Sequence, residues 1–370
     1  MNDRISQTST FGGETFISLE SEKSGKEASI RLLEDYSELL IRSGLDESSE
    51  IFLRFHLSDI AAQAEILRNL LAERNAFYSL IGQPPASGST CALQAYHIHG
   101  TSPVLKTKDL EGNLSVSHSK YKSFWTHCGD RPDAGRSIER QTSNMFGQLS
   151  ARIDGLGILS KEGLLRTWIY LRNIDSDYMQ FAAARRDLYR SKGVKHYPAS
   201  TAIEGASADP SCLAFMDSLA IAGLDPEQIE YVSAPDNLCH PDKYDITFER
   251  GLKLSFGDRT HYYISGTASI DKYGRVLHAG DLEKQAARTL ENIEALLETQ
   301  NAGISDMKIL TVYLRNVADF DRADSFLRRN LPANLQYIIV KGKVCRPEWL
   351  IEIDGRAVTM TGDKRFAPYC

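Results

Sequence analysis

No stretch of the 370 residues stays apolar for the roughly 18 positions needed to cross a bilayer. The opening MNDRISQTSTFGGE has no hydrophobic run behind a basic start, so nothing reads as a secretion leader and the expected location is the cytoplasm, with no membrane partner. The six cysteines (Cys91, Cys128, Cys212, Cys239, Cys345 and Cys370) include no CxxC pair, which suits free thiols in a reducing compartment. His127-Cys128 and Cys239-His240 are adjacent pairs without a second pair at finger spacing, so no metal is expected. Nor does charge of one sign dominate. The 43 Lys and Arg and 49 Asp and Glu are mixed along the chain for a formal charge of −6, leaving no basic footprint for nucleic acid. With 42% hydrophobic and 25% charged residues, wholesale disorder and fibrous repeats are excluded as well.

A chain of this length exceeds one hydrophobic core, and what it holds instead is repetition. RTWIYLRNID (166–175) and ILTVYLRNVAD (309–319) share Tyr-Leu-Arg-Asn 143 positions apart. Ahead of each lies an amphipathic face, Ile138, Met145, Leu149 and Ile153 in one and Leu282, Ala286, Leu290, Ile293 and Leu297 in the other, spaced for one side of a helix. After each comes a second helical run, DYMQFAAARRDLYRSKG and DFDRADSFLRRNLP. Agreement in order as well as letters marks an internal repeat. A more divergent copy is found near the N-terminus as ASIRLLEDYSELLIRSG, EIFLRFHLSD, IAAQAEILRNLLAER and STCALQAYHI.

The repeat predicts three α+β units at 1–112, 113–225 and 226–370, connected by polar KTKDLEGNLSVSHSK and Pro/Asp-rich SAPDNLCHPDKYD. In the third, LKLSF and THYYISG form a hairpin around Gly257-Asp258, and LQYIIVKGKV and WLIEID close the sheet. Helices on one face leave the other apolar and in need of a partner. Three like units are therefore expected to cover one another's sheets about a pseudo-threefold axis, in a monomer or a homo-oligomer.

Phe248 to Val358, with the strand ending in Ser265-Gly266, the LENIEALL helix, TVYLRNVADF and IEID, resembles the YjgF/Rid family of small trimeric proteins. A closer resemblance is to the chorismatases, the 3-hydroxybenzoate synthase group, which carry Rid-like domains. It rests on ISGTASI (264–270) and VCRPEWLIEIDG (344–355), and more loosely on RTWIYL, YMQFAAAR and TFERG. Ala182 and Ala184 depart from the family pattern, standing where it has Asn and Gly. The resemblance implies tandem Rid-like (chorismate-mutase-like) units, a site between units, no cofactor, and chorismate or a relative as the small-molecule substrate.

From the residues alone, Glu352 sits between Ile351 and Ile353, so its side chain points away from two apolar ones, to solvent or to a cleft. The resemblance makes it the general acid that protonates the enolpyruvyl methylene before pyruvate leaves. Cys345 reads either as a small buried hydrophobe or as a thiol beside the positive Arg346; the resemblance links a Cys here to 3-hydroxybenzoate rather than a dihydrodiol. Ala268, in Gly266-Thr267-Ala268-Ser269, is expected to form the pocket floor. Two substrate carboxylates need donors on two sides, and the candidates are Arg250, Arg185 and Arg346, with Tyr178 and Tyr263 completing the set. Two rival readings stay open. One is a Rid-type imine or enamine deaminase, although PASTAIE (198–204) and LQYIIVK (335–341) lack that family's carboxylate-holding Arg. The other is a non-catalytic small-ligand or assembly module, since the first two units show no counterpart of Glu352.

Overall fold

The computed structural model describes residues 6–21, 27–100, 104–129, 137–154, 163–239 and 247–370. The first repeat starts with a hairpin of β1 (Ser6–Phe11) and β2 (Glu14–Glu20), followed by α1 (Ala28–Arg42), β3 (Glu50–Leu57), α2 (Ile60–Leu70), β4 (Phe77–Ile81) and β5 (Cys91–Ile98). The second has β6 (Leu105–Lys108), β7 (Leu114–His118), β8 (Tyr121–Cys128), α3 (Ile138–Ile153), β9 (Leu164–Leu171), α4 (Ile174–Ser191), β10 (Ala199–Glu204) and β11 (Ala214–Ala222). The third has β12 (Ile229–Val232), β13 (Gly251–Ser255), β14 (Thr260–Ala268), α5 (Leu282–Glu298), β15 (Met307–Leu314), α6 (Phe320–Asn330), β16 (Gln336–Lys341) and β17 (Ile351–Thr359).

The sheet orders are β1-β2-β5-β3-β4, β10-β9-β11-β8-β7-β6 and β12-β13-β14-β17-β15-β16. Within each sheet the two strands joined through the second helix run parallel, because a helical crossover returns the chain in the same direction. The remaining pairs are antiparallel. The segment KTKDLEGNLSVSHSK is not only a connection: it holds most of the β6–β7 hairpin, in which Leu114, Val116 and His118 are buried and the intervening serines less so. The chain's first hairpin turns at Gly12 and Gly13, whose φ of 56° and 84° are left-handed values that side chains resist. No helix among the described residues is long and apolar enough to cross a membrane.

Each helix pair covers one face of its own sheet, as with Leu32, Tyr36 and Leu67 against Leu53, Phe55 and Leu93. The opposite faces of all three sheets meet in a shared interior of Phe16, Phe52, Trp125, Leu219, Leu252 and Tyr263. These inner faces are not simply apolar, as the pattern suggested. Glu14 is fully buried there and accepts from Arg259 at 2.8 Å, Arg356 at 2.9 Å and Tyr96 at 2.5 Å, with His261 at 3.0 Å. The ring of units closes by one repeated contact: β4 against β8, β10 against β14, and β16 against β2. The three boundaries are thus built alike.

Candidate active site

The inward residues of β17 alternate Glu352, Asp354, Arg356, while Ile351 and Ile353 face the helices and are fully buried. Cross-strand register puts Glu352 opposite Tyr313 and Asp354 opposite Thr311. The same register places Phe215 opposite Tyr170 in the second unit and Ala92 opposite His56 in the first. Of the three equivalent positions, only the third unit's carries an acid.

Glu352 is 6% exposed. Burial pushes its pKa up to about 8, and the neighbouring Asp354 adds to the rise against the opposing charges of Arg166 and Arg250. The carboxyl therefore holds its proton at neutral pH. Its close neighbour on β14 is Gly266, where an added Cβ would meet Glu352 Oε1, so any larger residue here would have to displace the acid. Ala268 pairs directly with Glu352 across the strands.

Behind the acid a buried polar cluster ties the third unit to the second. Asp354 Oδ2 accepts from Arg166 Nη2 at 2.9 Å, Thr201 Oγ1 at 2.6 Å and Tyr313 OH at 3.1 Å. Thr201 Oγ1 in turn accepts from Arg166 Nη2 at 2.6 Å and from the Gly266 amide at 3.0 Å. Arg166 and Thr201 come from β9 and β10, so the backbone at Gly266 and the charge at Asp354 are both held from across the boundary. These partners were missed in the sequence. The signal present was alternation, Arg166-Trp168-Tyr170 on one strand and Glu352-Asp354-Arg356 on the other.

Cys345 is half-buried and hydrogen-bonded to Tyr178 of α4. Burial, then the proximity of Glu352, pushes the thiol up to about 12 against the pull of Arg346, so Cys345 stays a thiol near neutral pH. Arg185 donates to Thr247 Oγ1 at 2.7 Å, and Arg250 to the Cys239 carbonyl at 3.2 Å and Sγ at 3.0 Å. Both guanidinium groups lie on the Phe248 ring, at 6.0 and 5.3 Å. Arg346 is occupied by the Gly274 carbonyl at 2.8 Å and the Trp349 ring at 4.9 Å. Thr267 donates to the Ser265 carbonyl of its own strand at 2.9 Å.

Tyr263 is placed elsewhere. A register shift between Ile264 and Thr267 changes the parity of β14, and Tyr263 pairs with Arg356 and lines the axial cavity with Phe16, Tyr96 and Trp168. Of the two His-Cys neighbours, His127 bonds Asp217 and Cys128 bonds Arg152, while His240 lies outside the described residues.

Comparison with known proteins adds the following. Residues 257–359 match the family model described as Endoribonuclease L-PSP. A chorismatase of Streptomyces rapamycinicus is 25% identical over 225 residues, 55% of this chain and 66% of that protein. A 3-hydroxybenzoate synthase of Streptomyces hygroscopicus is 23% identical over 267 residues, 65% of this chain and 75% of that protein. A chorismatase crystal structure superposes with a TM-score of 0.66 over 95% of this chain and 99% of that one, at 18% identity, a likeness of fold.

Proposed function

We propose, from the premise that this chain is a relative of the chorismatases built on Rid-like units, that it cleaves the enolpyruvyl ether of chorismate or a closely related ring acid. The observation that carries this reading is a buried carboxyl, Glu352, that stays protonated at neutral pH where the second and third units meet. Delivering its proton to the enolpyruvyl methylene makes the ether carbon cationic. Water adds to that carbon and gives a proton back to Glu352, the hemiketal so formed passes its hydroxyl proton to the ring oxygen as that bond breaks, and pyruvate leaves with the ring alcohol. Arg250 and Arg185 supply positive charge toward the substrate carboxylates, and Gly266 and Ala268 leave room for a flat ring beside the acid. The test is mass spectrometry of products after incubation with chorismate, isochorismate and prephenate. Pyruvate with a ring acid is expected from the first; ammonia from an amino-acid-derived imine, without pyruvate from any of the three, overturns the reading in favour of a deaminase.

The ring product assigned is 3-hydroxybenzoate, the diol less one water, formed when the ring's own hydroxyl leaves as water and a proton is lost from the ring carbon that bears the ether oxygen; Cys345 beside Glu352 and Tyr178 supports it. Cys345→Ala should still release pyruvate while the aromatic product gives way to a dihydrodiol, measured as the ratio of the two by chromatography. An unchanged ratio returns Cys345 to a packing role.

The raised carboxyl also sets a pH dependence. Turnover should fall as pH rises through about 8, where Glu352 ionises. Asp354→Asn removes the charge that helps raise it and releases Arg166 to stabilise the ionised form. Both changes act in one direction, so the alkaline limb of the pH–rate profile should move to lower pH. Because the folded-state pKa lies above the unfolded one, Glu352's stability contribution is complete below the ordinary carboxyl range and is lost as pH rises through about 8.

A further inference from the structure

We infer that the cleft between the first and second units is a second small-molecule site, one that takes a carboxylic acid with a flat apolar body. The repeat requires a cleft here: β4 meets β8 as β10 meets β14. It encloses about 550 Å³, within the range of small-molecule pockets. Phe77 and Leu80 of β4 and Ala208 provide apolar lining, and Arg68 and Arg152 provide positive charge.

The chemistry of this cleft differs from that of its neighbour. Phe215 holds the register position of Glu352, and Asp217 that of Asp354. Asp217 is wholly buried; one oxygen lies 2.8 Å from His127 Nδ1, and the other has no hydrogen-bond partner. The hydroxyl of Ser79, a lining residue only 1% exposed, is also unpartnered. A buried hydroxyl left this way costs free energy, and a site prepared for a ligand that can accept from Ser79 is one reason to keep it.

Arg152 identifies the ligand's charge. Its Nη1 is anchored on the His127 carbonyl and on Cys128 Sγ at 3.0 Å, while Nη2 donates to the carboxylate of Glu111. Glu111 is a turn residue, 55% exposed in its side chain. A surface carboxylate thus rests on the cationic end of the cleft. A ligand carboxylate would take its place at small cost, because a largely exposed ion pair of this kind is weak.

The test uses the full chain and benzoate, followed by isothermal titration and by ligand-observed NMR. Glu111→Gln, a surface change that leaves the fold alone, should tighten benzoate binding about threefold or more by removing the competitor. Arg152→Met should weaken it about tenfold, the scale of one charge-assisted carboxylate contact. Both shifts should persist in an Arg250→Met background, which separates this cleft from the one holding Glu352 and makes the result independent of the reaction proposed there. Benzoate affinity indifferent to Glu111→Gln, or abolished by Arg250→Met alone, overturns the site. Acetate binding as tightly as benzoate overturns the flat-bodied ligand.

Discussion

Glu352→Gln should lower pyruvate release by roughly 100-fold to 10,000-fold, the contribution of a positioned general acid, while the protein melts close to the parent's temperature. Gln keeps the shape and hydrogen-bonding capacity of a protonated carboxyl but has no proton to deliver. Because the parent side chain is itself neutral below about 8, the exchange changes no buried charge at neutral pH. This separates chemistry from folding in a way that few buried acids permit. The assay is pyruvate formation at equal protein concentration, paired with thermal unfolding of both proteins. Near-normal turnover in the variant would remove Glu352 from the mechanism.

Glu14→Gln should do the reverse, costing stability rather than a proton. Burial alone would raise the Glu14 pKa, but His261, Arg356 and Arg259 together outweigh it and hold the carboxyl well below the usual carboxylate range. Burial also pushes His261 down to about 4, so that near neutral pH the positive partners are the two arginines. Gln would leave Arg356 buried without its counter-charge, while Arg259 keeps Asp258 at 2.6 Å; the loss expected is about 3–5 kcal/mol by analogy with broken buried pairs. Urea unfolding at pH 7 measures it; a loss under about 1 kcal/mol, the scale of an exposed pair, would show that the arginines are balanced elsewhere. The sign with pH is opposite to that of Glu352. A depressed carboxyl contributes stability above the unfolded-state value, and that contribution is lost as pH falls from there toward the folded value.

Much of the architecture was legible because the second and third units repeat both letters and helical faces. Tyr-Leu-Arg-Asn marks the same strand end in two units, and α3 and α5 carry their apolar residues at helical spacing. The β6–β7 hairpin was passed over since its strand alternates with serine, which reads as linker. Glu352 was legible from strand alternation together with a motif. Its setting was less so: Arg166 and Asp354 are 188 residues apart, and nothing local in either strand announces the other. Tyr263 shows a different limit, since a bulge two residues on changes which face its neighbours share. Glu14 drew no notice in the sequence, because nothing near an acid in a hairpin announces Arg259 and Arg356, hundreds of positions away.

The closure of the ring on its own first hairpin has a consequence for biosynthesis. Glu14 and Arg356, now 2.9 Å apart, are separated by 342 residues of chain. At translation rates of about 5–20 residues per second, Glu14 emerges roughly twenty to seventy seconds before the arginine that neutralises it. Throughout that interval the inner face of the first sheet, with Phe16 and Tyr96, lacks both its charge partner and the closing strand of the third sheet that carries it. The nascent first unit is therefore the part of this chain most in need of a chaperone, and a fragment ending before β17 should be recovered bound to one or aggregated rather than as a free folded domain.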